Sequence, residues 1–130
     1  MSENQPKRRP TDAEIKILRV LWEHGARTVR EVHELISAKE TIGYTTVLKV
    51  LQIMTDKGLV ERDTDVRPML YRASEPQRKT QRSMVRDLLD RAFGGSASDL
   101  ALQALSLRKS SPEELREIRA LLDKLEGDDR

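Results

Sequence analysis

The sequence predicts a mainly α-helical fold with one small β-hairpin. Two observations carry this prediction. Apolar residues recur at helical spacing in six segments of the 130-residue chain, and two strand-like segments flank a polar turn between the third and fourth of these. Hydrophobic residues make up 37% of the chain and charged residues 35%. This composition fits one domain, or a small domain with an appendage.

Charge and cysteine content exclude several classes of protein. The net charge is only +2 and comes from residues 1–73, since residues 74–130 are neutral overall. Nucleic-acid binding would therefore depend on local clusters of charge. The chain has no cysteine, which excludes disulfides and thiolate metal sites. No apolar run approaches the roughly 20 residues of a membrane span, so we expect a soluble cytoplasmic protein without membrane insertion.

Residues 1–9 are polar and unpatterned, and we predict that they form a flexible basic arm. Lys7, Arg8 and Arg9 place three cations just before the folded region. Two interpretations remain open: the arm serves only solubility, or it contacts phosphate groups.

The first helix is predicted to begin at Thr11. This residue is followed three positions later by Glu14, which is the capping-box pattern. Its apolar side is formed by Ile15, Leu18, Leu21 and Trp22. The helix should end near His24 and Gly25, and we expect Trp22 to be its largest contribution to the core.

The second helix is predicted over residues 29–38. Thr28 and Glu31 repeat the capping-box spacing, and Val32, Leu35 and Ile36 give the helix an apolar side. Residues 27–29 also have the character of a very short strand.

The third helix is predicted from Tyr44 to a glycine C-cap at Gly58. Its apolar side consists of Val47, Leu51 and Met54, and its polar side of Thr45, Lys49, Gln52 and Asp56. Two short helices followed by a helix with an exposed polar side have the order of a helix-turn-helix. Such side chains can bind base edges and phosphates, although an ordinary surface helix has the same pattern.

The sequence predicts two strands, over residues 59–62 and 69–72, around a polar turn that contains Pro68. Three helices closed by a hairpin form a winged helix, which we predict over residues 10–74. In that architecture the hairpin lies along the DNA backbone. Arg67 and Arg72 are therefore candidate phosphate ligands.

Beyond residue 74 the pattern is purely helical, and we predict a helical dimerisation domain over residues 75–127. Ser96 and Ser111 are candidate caps for the last two helices. The apolar sides are wide for a segment of this length, so a second copy related by two-fold symmetry is the simplest way to cover them. The alternative is that the helices fold back onto the winged helix in a monomer. The candidate dimerisation residues are Met84, Val85, Leu88, Leu89, Phe93, Leu100, Ala104, Leu115, Ile118, Leu122 and Leu125.

Several short motifs together resemble the penicillinase repressor family, of the BlaI and MecI type. They are LW at the end of the first helix, then RTVREV, YTTV, KGLV, a short basic wing and FGG in the helical tail. The resemblance covers residues 10–125. It implies a homodimeric winged-helix repressor of transcription that binds a palindromic double-stranded DNA operator. It further implies that Tyr44, Thr45, Thr46 and Lys49 begin the recognition helix, and that Thr28 and Arg30 contact the DNA backbone.

The chain departs from the family pattern at three places. Ile53 stands where many relatives carry arginine, and Val66 stands where the wing often has glycine. Classic relatives are inactivated by cleavage of an Asn-Phe bond, which implies a protease partner that depends on a membrane metallopeptidase sensor. The aligned position here is Gln103-Ala104, the candidate site of proteolysis. Without cysteine, the thiolate copper site of the copper-responsive relatives is excluded.

An enzyme is not predicted. The two histidines, His24 and His33, belong to no metalloprotease motif, and we expect both to be ordinary surface residues near helix ends. No nucleophile motif or phosphate-binding glycine loop is present, so we expect no catalytic residue, no metal and no cofactor. A second function remains open: a winged helix that binds other proteins without sequence-specific DNA binding.

Overall fold

The structure, a computed structural model, describes residues 9–128. Most of the predicted basic arm, including Lys7 and Arg8, lies outside the described residues. The described residues form six helices and one two-stranded sheet: α1 (Asp12–His24), α2 (Val29–Ser37), α3 (Tyr44–Lys57), β1 (Val60–Asp63), β2 (Leu70–Ala73), α4 (Gln77–Ala92), α5 (Ala97–Leu107) and α6 (Pro112–Asp128). The predicted fold class is confirmed. The chain divides into two compact units with a boundary after Met84, inside α4.

Helices α1 and α2 begin where the predicted caps place them. The Thr11 hydroxyl accepts a hydrogen bond from the backbone N–H of Glu14, and the Glu14 carboxylate accepts one from the N–H of Thr11, at 3.2 and 2.8 Å. Thr28 and Glu31 form the same reciprocal pair at the start of α2. Each box satisfies two N–H groups that the helix leaves without an internal partner.

The hairpin pairs β1 and β2 in antiparallel register, with Glu61 opposite Arg72 and Arg62 opposite Tyr71. Arg27 adds an isolated bridge, because its backbone and that of Tyr71 exchange two hydrogen bonds of 3.0 and 2.8 Å. The strand character predicted near residue 27 is thus a single bridge. It ties the connection between α1 and α2 to the base of the wing.

The core lies between the three N-terminal helices and the hairpin. Its buried apolar residues are Ile17, Leu18, Leu21, Val29, Val32, Ile36, Val47, Leu51, Met54, Leu59, Val60 and Tyr71. Trp22, the expected largest contribution of α1, packs against this core but is only half-buried, whereas Ile17, Leu18 and Leu21 of the same helix are buried. The indole N–H explains this position, since it donates to the carbonyl of Glu75 at 3.1 Å.

One buried ion pair joins the start of α1 to the end of α3. The Lys57 ammonium lies 2.7 Å from the Glu14 carboxylate, and the two side chains are only 12% and 4% exposed. Glu14 therefore serves both the cap of α1 and a contact across the domain. Removing one partner of such a pair typically costs about 3–5 kcal/mol, because the other charge stays buried.

The second unit continues α4 into two further helices. Ser96 caps α5 by accepting from the N–H of Asp99, and Ser111 forms a capping box with Glu114 at the start of α6. No residue of α4 or α5 is buried. None of the helices in the described part of the chain is both long and apolar enough to cross a membrane.

Candidate nucleic-acid interface

Helix α3 has a buried side and an exposed polar side. Val47, Leu51 and Met54 are completely buried, so the predicted apolar side is the one that packs against the core. The opposite side presents Thr45, Lys49, Gln52 and Asp56, all of them exposed. The helix therefore offers a hydroxyl, an ammonium and an amide to solvent, with a carboxylate next to its last residue. This set can donate to phosphate oxygens and to the edges of bases.

The N-terminus of α3 differs from those of α1 and α2, because no side chain caps it. Its N-cap is Gly43, which has no hydroxyl or carboxylate to offer the first turn. Tyr44, Thr45 and Thr46 follow, and all three are exposed. Their backbone N–H groups precede the first helical hydrogen bond, from the N–H of Val47 to the carbonyl of Gly43 at 3.1 Å. The positive end of a helix dipole with open N–H groups suits an anionic oxygen.

Thr28 and Arg30 lie at the start of α2. Arg30 is exposed, and it lines a shallow depression together with His33, Glu34 and Tyr44. The structure thus brings Arg30 to the side of α2 that meets the start of α3, whereas Thr28 is the N-cap of α2. The hydroxyl oxygen of Thr28 accepts the capping bond from the N–H of Glu31, and its O–H is within hydrogen-bonding reach of the Glu31 carboxylate.

His33 corrects an expectation. It lies in the middle of α2 and is half-buried, whereas the sequence suggested a surface residue near a helix end. Its Nε2 lies 2.8 Å from the carbonyl oxygen of Ile42. Because a carbonyl can only accept, Nε2 carries the proton in this contact. The His33 ring also meets the Tyr44 ring edge to face, at 5.8 Å between centroids and 76° between planes. His33 therefore holds the segment that leads into α3.

The two candidate arginines of the wing differ in their surroundings. Arg67 is exposed in the turn between β1 and β2. Arg72 is also exposed, but its guanidinium lies 2.6 Å from the carboxylate of Glu61, the residue opposite it in the sheet. Exposed ion pairs of this kind are weak. To bind a phosphate, Arg72 would have to break its contact with Glu61 or contact both groups at once.

The candidate dimerisation residues all lie on α4, α5 and α6 or at the turn after α4. Within the second unit the large side chains among them stay accessible. Val85, Leu88, Leu122 and Leu125 are exposed, while Leu89, Phe93, Leu100, Leu115 and Ile118 are half-buried. Gln103 and Ala104 are exposed in α5, where the Gln103 amide donates to the Asp99 carboxylate one turn earlier.

The described residues contain no group of three or more histidine and carboxylate side chains placed to hold a metal ion.

Comparison with known proteins identifies relatives for most of the chain. A family model described as penicillinase repressor matches residues 10–124. The chain is 23% identical over 113 residues to the penicillinase repressor of Bacillus licheniformis, which covers 87% of this chain and 88% of the relative. It is 33% identical over 92 residues to the transcriptional regulator BlaI of Mycobacterium tuberculosis, which covers 70% of this chain and 67% of the relative.

A solved structure supports the fold. The structure of a MarR family protein from Bacillus stearothermophilus matches with a TM-score of 0.50 at 23% identity, over 91% of this chain and 74% of that one. The two relatives matched in sequence are a penicillinase repressor and a transcriptional regulator.

Proposed function

The chain belongs to the penicillinase repressor family, and we propose that it represses transcription by binding a palindromic DNA operator as a homodimer. Each winged helix, centred on α3, would occupy the major groove of one half-site. The helices after the wing would hold two copies together. The polar exposed side of α3, with its uncapped N-terminus, is the observation that carries the proposal.

The physical chemistry of that side supports DNA as the ligand. Hydroxyls at the open N-terminus of a helix are suited to phosphate oxygens, and Lys49 lies one turn further along the same exposed side. Arg30 and Arg67 extend the cationic groups to α2 and to the wing. A protein-interaction module needs no such concentration of donors at an uncapped helix end.

The apolar residues of the second unit support the homodimer. Leu88 and Leu122 remain about half exposed, at 45% and 53%, and α4 and α5 bury no residue at all. Apolar surface of this extent usually marks an interface. A two-fold partner would present the same surface and cover it, and two linked half-site readers would then favour a palindrome.

Alanine at Lys49 and Arg67 together tests the DNA surface. Loss of two phosphate or base contacts per chain should weaken binding at least tenfold and make the dependence on salt less steep. Fluorescence anisotropy with a duplex selected from a random pool measures both.

The matched control removes two exposed cations from α1 by changing Lys16 and Arg19 to alanine. This control should leave affinity within about twofold of the wild type. Equal affinities for the test variant and the wild type would refute the assignment of the surface. Failure of the wild type to enrich any sequence would instead favour the protein-interaction module.

A further inference from the structure

The first unit has exposed apolar side chains on α3 and in the turn of the wing. In the described residues up to Met84, the large apolar side chains that remain exposed are Tyr44, Ile53 and Val66, at 45%, 42% and 38%. Tyr44 begins α3, Ile53 lies in its second half, and Val66 is in the turn of the wing. These are the two elements through which the proposed function acts.

Among these three residues, Ile53 is the one to which we assign no structural role within the fold. The Tyr44 ring packs against His33, and Val66 sits in a turn. Ile53 instead is exposed one helical turn after Lys49. A single exposed apolar residue needs no explanation by itself. Its position one turn after Lys49 provides one, because the exposed neighbours of Ile53 at helical spacing, Lys49 and Asp56, are polar, while its apolar neighbour Val50 packs half-buried against the core.

We propose that Ile53 reads a thymine in each half-site by packing against its 5-methyl group. The inference rests on the proposed function, since it requires α3 to lie in the major groove. In that groove the 5-methyl group of thymine is the apolar feature of the base pairs, and an aliphatic side chain is complementary to it. Isoleucine has no donor or acceptor, so it can distinguish bases only in this way.

The geometry of the helix also limits where the thymine lies. Side chains one turn apart on a helix are about 5–6 Å apart at Cβ, and successive base pairs are about 3.4 Å apart. The thymine read by Ile53 therefore lies within about two base-pair steps of the position that Lys49 contacts. The half-site should thus contain one thymine whose methyl group is required.

The test removes that methyl group alone. Full-length protein first selects duplexes from a random pool, and each thymine of the selected half-site is then replaced by deoxyuridine, one at a time. Wild-type protein should lose about three- to fivefold in affinity at one position per half-site, the effect of one buried methyl group. The Ile53→Ala variant should bind the thymine and deoxyuridine duplexes equally at that position.

Lys49→Ala is the matched control. It should weaken binding to both duplexes while keeping the ratio between them, because it leaves Ile53 in place. Ile53 is exposed, so Ile53→Ala should keep the wild-type melting temperature within about two degrees. A consensus that requires no thymine, or a deoxyuridine penalty that persists in Ile53→Ala, would overturn the inference. The proposed function fails separately, if the wild type selects no sequence.

Discussion

Thr28 uses one hydroxyl group for two purposes in this account. Its oxygen accepts from the N–H of Glu31 and so caps α2. Its O–H is within reach of the Glu31 carboxylate and helps to lower the pKa of that group; under the proposed function it would turn to a phosphate oxygen of DNA. Thr11 has the same capping geometry at α1, which provides a comparison within the same molecule.

Alanine at either threonine should destabilise the protein by about 1 kcal/mol, the usual cost of a lost N-cap. Only Thr28→Ala should also weaken operator binding, by about threefold or more, because it alone removes a contact to DNA. Chemical denaturation gives the first quantity and fluorescence anisotropy the second. Equal losses of affinity in the two variants would show that Thr28 acts only as a cap.

Single residues differ in how far the sequence predicts their surroundings. The exposure of Thr45, Lys49 and Gln52 follows from helical periodicity alone, and the structure confirms it. The contact of His33 with the carbonyl of Ile42 does not follow, because it joins two elements across a loop whose path the sequence leaves open. The pairing of Arg72 with Glu61 depends likewise on the register of the hairpin.

At the scale of elements, the helix boundaries were predictable because caps are local. Thr11, Thr28, Ser96 and Ser111 each lie within three residues of the groups they satisfy. Gly58 ends α3 in the left-handed conformation, with φ of 81°. The ion pair between Glu14 and Lys57 was not predictable, since its partners are 43 residues apart. That pair fixes the end of α3 against α1.

Capping also makes the stability of α2 depend on pH. The backbone N–H of Thr28 donates to the carboxylate of Glu31 and lowers the pKa of Glu31 below its ordinary 4.5. A lowered folded-state pKa means that the unfolded chain binds the proton first. The stabilisation is therefore complete above pH 4.5 and is lost as the pH falls through the lower folded-state value. The backbone N–H of Ser111 has the same effect on the pKa of Glu114 in α6.

Glu31→Gln tests this dependence, because the amide keeps an oxygen for the cap but does not titrate. The free energy of unfolding of the wild type, measured with denaturant, should decrease as the pH is lowered from about 6 to about 3. The variant should show a shallower fall in this range. Identical slopes would mean that the charge of Glu31 does not contribute to the cap.

At the scale of the whole molecule, the two units use their apolar residues differently. The first unit buries its core between three helices and a hairpin, and leaves a polar surface on α3. The second unit keeps Leu88, Leu122 and Leu125 exposed. Periodicity in the sequence predicts both patterns. Periodicity does not predict which partner covers the exposed leucines of the second unit, because the sequence of one chain does not give the position of another copy.

The binding of a homodimer to a palindromic operator is tested by sedimentation velocity of the full-length chain with a selected duplex. At micromolar protein, this measurement gives the number of chains per duplex. We expect two chains on the intact palindrome. Scrambling one half-site should weaken binding by about 10²- to 10⁴-fold. Leu122→Glu should make the free protein monomeric and abolish that advantage, whereas Lys124→Glu, on the polar side of α6, should not. The proposed homodimer on a palindrome would be contradicted if one wild-type chain bound each duplex and a single half-site were bound as tightly as the intact palindrome.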